Sequence, residues 1–140
     1  MKILLAIDGS EYTKRMLAYL AAHDEMLGKD NTYTALTVIA PVPAFAASYL
    51  DPGIVERAYH EQADETFAPV IKFAAQQGWE LSTRYDVGHA GDVIAEQARA
   101  GGYDLLVMGS HGHSTVGSVL LGSVAVRVLS QCKTPVLLIR

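Results

Sequence analysis

The apolar residues of this chain fall into two kinds of segment that take turns along its length, and this alternation limits the fold more than any other feature. Ile3-Leu4-Leu5-Ala6-Ile7, Ala35-Leu36-Thr37-Val38-Ile39, Leu105-Leu106-Val107-Met108 and Val136-Leu137-Leu138-Ile139 are short and almost continuously apolar. Runs without polar alternation suit strands covered on both faces. Residues 79–87 are more polar and alternate, which places that strand nearer an edge. Between the runs lie segments with helical spacing. Ser10 stands where an N-cap belongs, Met16, Leu17, Leu20 and Leu27 form one stripe, and Gly28 stops the helix. A second helix is expected over residues 52–77, ending at Gly78. Its buried face would be Phe67, Val70, Ile71 and Ala74, and Pro69 should kink it. A third spans about 91–100, with Val93, Ile94 and Ala98 inward. A fourth runs from Gly122-Ser123 to Gln131. Its Val124, Ala125, Val126, Val128 and Leu129 are apolar nearly all round, so it should be well buried. The order β-α-β-α-β-α-β-α-β implies one α/β domain over residues 1–140, with helices on both faces of a parallel sheet.

Composition agrees with one compact domain. Half of the 140 residues are hydrophobic and 19% are charged, below the usual quarter, so the chain can build a core. The net charge of −4 supplies no basic surface for nucleic acid. No apolar run approaches the roughly 18 residues of a membrane span, and Asp8 interrupts the apolar start, which does not read as a signal peptide. The single cysteine, Cys132, excludes an intrachain disulfide and reads as a small packed residue rather than a nucleophile. A cytoplasmic location is expected. Residues 40–52, with Pro41, Pro43 and Pro52, are the one long irregular stretch: a loop over a site, or a plain connection.

Open α/β sheets bind ligands beyond the carboxyl ends of their strands, where strand order reverses. If the first and fourth strands are neighbours, that crevice lies between Asp8 and Gly109. Residues 109–123 hold four glycines, four serines and Thr115. Glycine bares backbone N–H groups, hydroxyls add donors, and the helix opening at Gly122-Ser123 favours a phosphate. The segment reads as a phosphate cradle, against the alternative of a plain glycine–serine loop. There is no G-x-G-x-x-G, no P-loop lysine and no G-x-S-x-G elbow. His111 and His113 form H-x-H, but no third ligand follows, so solvated loop histidines are the simpler reading than a metal pair. His89 would cap the third helix or face water. Asp8 would either cap the turn at Gly9-Ser10 or contact a ligand.

At this loop the chain resembles the universal stress protein family. Gly109-x2-Gly112-x9-Gly122-Ser123 matches the motif of its ATP-binding branch. Val107-Met108-Gly109-Ser110-His111-Gly112, Leu120-Leu121-Gly122-Ser123-Val124, Asp8-Gly9-Ser10 and Cys132-x2-Pro135-Val136-Leu137-Leu138-Ile139 are similar too. The resemblance implies a Rossmann-like sheet of five strands in the order 3-2-1-4-5, and a site for ATP, ADP or AMP with Mg²⁺. Asp8 would contact the ribose and Val38 would offer its backbone to adenine. Gly109, Gly112, Gly122 and Ser123 would line the phosphates, beside Met108, Val124 and the turn of Ser110, His111, His113, Ser114 and Thr115. Residues 109–123 contain no Lys or Arg, so a triphosphate would rely on backbone donors, hydroxyls and Mg²⁺.

The final strand, residues 135–139, should be an exposed edge that pairs with a second copy, unless a loop covers it. Three functions follow. The first is a nucleotide-binding regulatory protein of stress response, acting through conformation or a protein partner. The second is a slow ATP hydrolase or phosphotransferase; without a P-loop lysine, turnover is expected to be very slow or absent. The third is a ligand-free interaction module working through the β-edge or the 40–52 segment.

Overall fold

Residues 1–113 and 119–140 are described by a computed structural model. The elements in chain order are β1 (Lys2–Ala6), α1 (Glu11–Ala22), α2 (Asp24–Leu27), β2 (Thr32–Ile39), α3 (Ala44–Ala47) and α4 (Pro52–Gln77). They continue with β3 (Glu80–Val87), α5 (Ala90–Ala100), β4 (Leu105–Gly109), α6 (Ser123–Gln131) and β5 (Val136–Ile139). The five strands form one parallel sheet in the order β3-β2-β1-β4-β5. This is the expected α/β architecture, with the polar strand β3 at one edge.

The order follows from crossover handedness. From β1 the chain steps outward through β2 to β3, then returns to the other side of β1 and steps outward through β4 to β5. Right-handed crossovers in opposite directions place their helices on opposite faces. Strand alternation divides the core accordingly. Ile3, Leu5, Ile7 and Val107 pack on one face with Met16, Leu17 and Leu20 of α1 and Phe67, Val70 and Ala74 of α4. Leu4, Leu106 and Met108 pack on the other with Ile94 and Ala98 of α5 and Ala125 and Val128 of α6. Asp92 of α5 accepts from Arg127 Nε and Gln131 Nε2 of α6, each at 2.8 Å. These bonds, the Arg127 bond first, hold its carboxyl below the usual carboxylate range.

Several expectations need correction. The first helical stretch is two helices, broken at His23 by a non-helical backbone (φ −122°, ψ 46°). Gly28 ends it as expected, because a Cβ there would sit 2.2 Å from the Asp24 carbonyl oxygen. The buried hydroxyl of Tyr33 donates to the Leu27 and Gly28 carbonyls, and its burial raises its pKa. Ser10 occupies the N-cap of α1, but its hydroxyl makes no capping bond. Asp8 Oδ1 takes over that turn by accepting from Ser10 N at 2.9 Å. The 40–52 segment contains α3, and Tyr59 of α4 pins it by accepting from Val42 N at 2.7 Å.

Two burial expectations also fail. Ile71 is 49% exposed, because the stripe Ala63, Phe67, Val70, Ala74 has already used the face toward the sheet, and Ile71 lies one step around the helix. Val126 is 52% exposed and Leu129 43%, with Val124 also exposed. Helix α6 packs inward through Ala125 and Val128, so its other apolar positions face away from the core. Val93 is half-buried, and α4 continues through Pro69. Cys132 is partly buried and packs against the second core face.

The corrected α4 face is testable. Phe67→Ala should cost about 3–5 kcal/mol, as removal of a buried ring does, whereas Ile71→Ala should stay within about 0.5 kcal/mol. Urea unfolding of both variants measures the difference. Equal losses would contradict the assigned face.

Candidate functional site

The end of β1 sets the site. The β1–β2 ladder closes with Ile7 N–H donating to Leu36 O at 2.9 Å, but β2 runs on to Ile39. Strand alternation turns the main-chain N–H and C=O of Val38, two residues beyond Leu36, toward the same side. There β1 has given way to the turn at Asp8. Gly9 holds φ +75°, which bends the chain away into α1. Thr13 Oγ1 of α1 accepts from Asp8 N and Gly9 N, at 3.2 Å each, so that turn is fixed from inside.

β4 ends beside it. At Gly109 a Cβ would lie 2.6 Å from Tyr12 Cβ and 2.9 Å from the His111 carbonyl oxygen. Only glycine lets the chain pass between α1 and its own next turn. At Gly112 a Cβ would lie 2.7 Å from Asp8 Oδ2, so the backbone there runs against the carboxylate. Ser110 N donates to Ile139 O and Gly122 N to Ser110 O, both at 2.7 Å. The second bond folds the start of α6 back onto the end of β4. Helix geometry then leaves the first N–H groups of α6, from Ser123 onward, without intrahelical acceptors.

These elements enclose a cavity of about 430 Å³. That falls within the range of small-molecule sites. One end is apolar, formed by Ala6, Ile7, Val38, Ala40, Ala90, Ile94, Met108 and Ala125; the other holds Asp8, Thr13 and the polar turn after β4. Asp8, Val38, Met108, Gly109, Ser110, His111, Gly112, His113, Gly122, Ser123 and Val124 all line the cavity. Ser114 and Thr115 lie outside the described residues. The structure adds Tyr12 and Thr13 from α1, and Ala40 and Ala90 at the apolar end. Tyr12 and Thr13 carried a signal, since they fall one helical turn after Asp8-Gly9. The alanines carried none.

The histidines are less free than expected. His111 has Nδ1 2.9 Å from Ser110 Oγ and Nε2 2.7 Å from Val119 O, and its ring packs at 5.5 Å against Tyr12. His113 Nε2 donates to Asp8 O at 2.7 Å, tying the two sides of the crevice together. Among the described residues no group of three His, Cys, Asp or Glu could hold a metal ion. His89 sits at the N-cap of α5 with no side-chain capping bond and faces solvent. No helix among the described residues is long and apolar enough to cross a membrane.

The tight passage at Gly109 predicts that Gly109→Ala destabilises the fold by about 1–3 kcal/mol, the usual cost of overpacking. A urea midpoint unchanged from wild type would mean that Tyr12 yields freely.

The profile of the universal stress protein family matches residues 1–140. The universal stress protein Slr1230 of Synechocystis sp. is 27% identical over 139 residues, which is 99% of this chain but 42% of that protein's length. The solved structure of protein MJ0577, 25% identical, superposes with a TM-score of 0.84 over 99% of this chain and 94% of its own. A universal stress protein from Archaeoglobus fulgidus, solved in complex with dAMP, is 20% identical with a TM-score of 0.70 over 100% of this chain and 98% of its own. The chain belongs to the universal stress protein family.

Proposed function

We propose that the chain is an adenine-nucleotide-binding regulatory protein of the ATP-binding branch of its family, which holds ATP, ADP or AMP between β1 and β4. The observation that carries the reading is the two-ended cavity. Its apolar end suits a purine, and its glycine-lined end suits phosphate. The residues fit such a ligand. A Cβ at Gly122 would come within 3.1 Å of Ser110 O and 3.2 Å of His111 Cα, in the wall of the cavity. The opening turn of α6 offers donors to an anion.

In this reading the Val38 main chain meets the adenine edge, and Asp8 meets the ribose. Gly109, Gly112, Gly122 and Ser123 meet the phosphates, with Met108 and Val124 beside them. Mg²⁺, when it accompanies a triphosphate, is held by phosphate oxygens and water. The complex of the Archaeoglobus protein with dAMP supports an adenine ligand. Bound nucleotide biases conformation or the choice of protein partner during stress. Hydrolysis is at most slow, because residues 109–123 carry neither a cation like the P-loop lysine nor a carboxylate.

Acid extraction of the purified protein should release adenine nucleotide. Titration calorimetry with ATP, ADP and AMP, with and without Mg²⁺, should show saturable binding. Gly122→Val should weaken that binding more than tenfold while leaving the melting transition cooperative. Binding that persists unchanged would place the site elsewhere. The ligand-free alternative draws on exposed Phe45 and Tyr49, each 77% exposed, near Leu50 and Ile54. It requires that no nucleotide bind at all.

The same reading includes a homodimer through residues 135–139. Among the described residues β5 is an edge strand paired with β4 alone, and exposed Val126 and Leu129 lie on α6, the helix before it in sequence. Light scattering should give twice the chain mass at micromolar concentration. A purely monomeric species would contradict the dimer without touching the nucleotide site.

A further inference from the structure

Thr13 lines the cavity, yet its hydroxyl has no capacity left for a ligand. A threonine hydroxyl has one hydrogen and two lone pairs. Asp8 N and Gly9 N donate to Thr13 Oγ1, at 3.2 Å each, and fill both lone pairs. A carboxylate oxygen accepts, so the one hydrogen goes to Asp8 Oδ1, also at 3.2 Å. Thr13 is 5% exposed and stands in the first turn of α1, so water does not compete for these bonds. Ser10 N donates to the same Oδ1 at 2.9 Å. The terminal torsion of an aspartate is otherwise broad; two donors on one oxygen fix it. Asp8 Oδ2 accepts no hydrogen bond among the described residues. It lies against Gly112, where a Cβ would come within 2.7 Å of it. Asp8 is exposed, and both Asp8 and Gly112 line the cavity. The oxygen still able to accept therefore stands between two walls of the crevice.

We propose that Thr13 is a positioning residue for sugar recognition, holding the Asp8 carboxylate by Oδ1 so that Oδ2 accepts from the hydroxyls of a bound nucleoside. The inference rests on the nucleotide reading above and deepens it. Asp8 tells a sugar that carries hydroxyls from one that does not only while Thr13 keeps the carboxylate in place. Without the Thr13 hydroxyl, one of the two bonds that orient Oδ1 is gone, and ordering the carboxylate on binding then subtracts from affinity. Thr13 itself touches no ligand atom, because all three of its hydrogen-bonding positions are filled from within the protein.

Adenosine and 2′,3′-dideoxyadenosine are the probes, since they share the base and differ only in the two sugar hydroxyls, each a donor that Oδ2 can accept. Their affinity ratio, measured by titration calorimetry, isolates the sugar contact. The wild-type protein should favour adenosine by about tenfold, the scale of one hydrogen bond to a charged group. Thr13→Val keeps the shape and removes the hydroxyl; it should make the two affinities equal. Thr13→Ser should keep the wild-type ratio. A merely structural role would weaken both ligands alike and leave the ratio unchanged. Asp8→Ala should also equalise the affinities, and Thr13→Val added to Asp8→Ala should change the ratio no further. Each variant is checked for a cooperative thermal melt. If Thr13→Val does not fold, Thr13→Cys carries the test: its thiol is a weak donor, and its ratio should fall between the wild-type value and equality. A wild-type ratio in whichever variant folds, with Asp8→Ala equalising, overturns the role of Thr13 and leaves Asp8 at the sugar. Equal affinities in the wild-type protein overturn Thr13 and the sugar contact together but leave the base site standing. Failure of the wild-type protein to bind either nucleoside overturns the nucleotide site, and this inference with it.

Discussion

β1 has a parallel neighbour on each side, yet it ends sooner than β2 does, and the site depends on that shortfall. The sheet winds outward in both directions from the β1–β4 pair, so no crossover helix closes the gap above their carboxyl ends. The turn at Asp8 leads into α1 on one face, and the turn at Ser110 leads toward α6 on the other. Main-chain groups of β2 that would have paired with a longer β1 face the gap instead. These groups stand at the mouth of the cavity, beside the half-buried Val38 side chain.

Close approach does the rest. Gly109, Gly112 and Gly122 each stand where a Cβ would press on a neighbour: Tyr12, the Asp8 carboxylate, and the Ser110–His111 backbone respectively. Their role here is spatial rather than conformational. None of the three has a positive φ, whereas Gly9 in the facing turn does. The spacing of the glycine motif therefore reflects three contacts: with α1, with the Asp8 turn before it, and with the chain just after β4.

Much of this was legible in the residues. Four unbroken apolar runs announced buried parallel strands, and the alternation in residues 79–87 announced the edge strand β3. The motif from Gly109 to Ser123 announced the wall of the cavity. What escaped were features set by neighbours distant in sequence. The exposure of Ile71 depends on which face of α4 meets the sheet, and that of Val126 and Leu129 on which face of α6 does, and a helical pattern records neither. The engagement of His111 Nε2 depends on a carbonyl eight residues away. The alanines at the apolar end, Ala40 and Ala90, matter by being small, and small residues leave no mark in a motif. Ser10 stands at the N-cap of α1 as its residue type suggests, but the side-chain acceptor in that turn is Asp8 rather than its own hydroxyl.

The central claim is that backbone amides after β4 and at the start of α6 receive the ligand's anionic end while the end of β2 receives its base. Amide chemical-shift mapping by NMR during titration with AMP tests it most directly. The account predicts the largest shifts at Gly109, Gly112, Gly122 and Ser123, together with Val38 and Ala40. Shifts confined to α3 and the exposed start of α4, with those six amides unmoved, would contradict it.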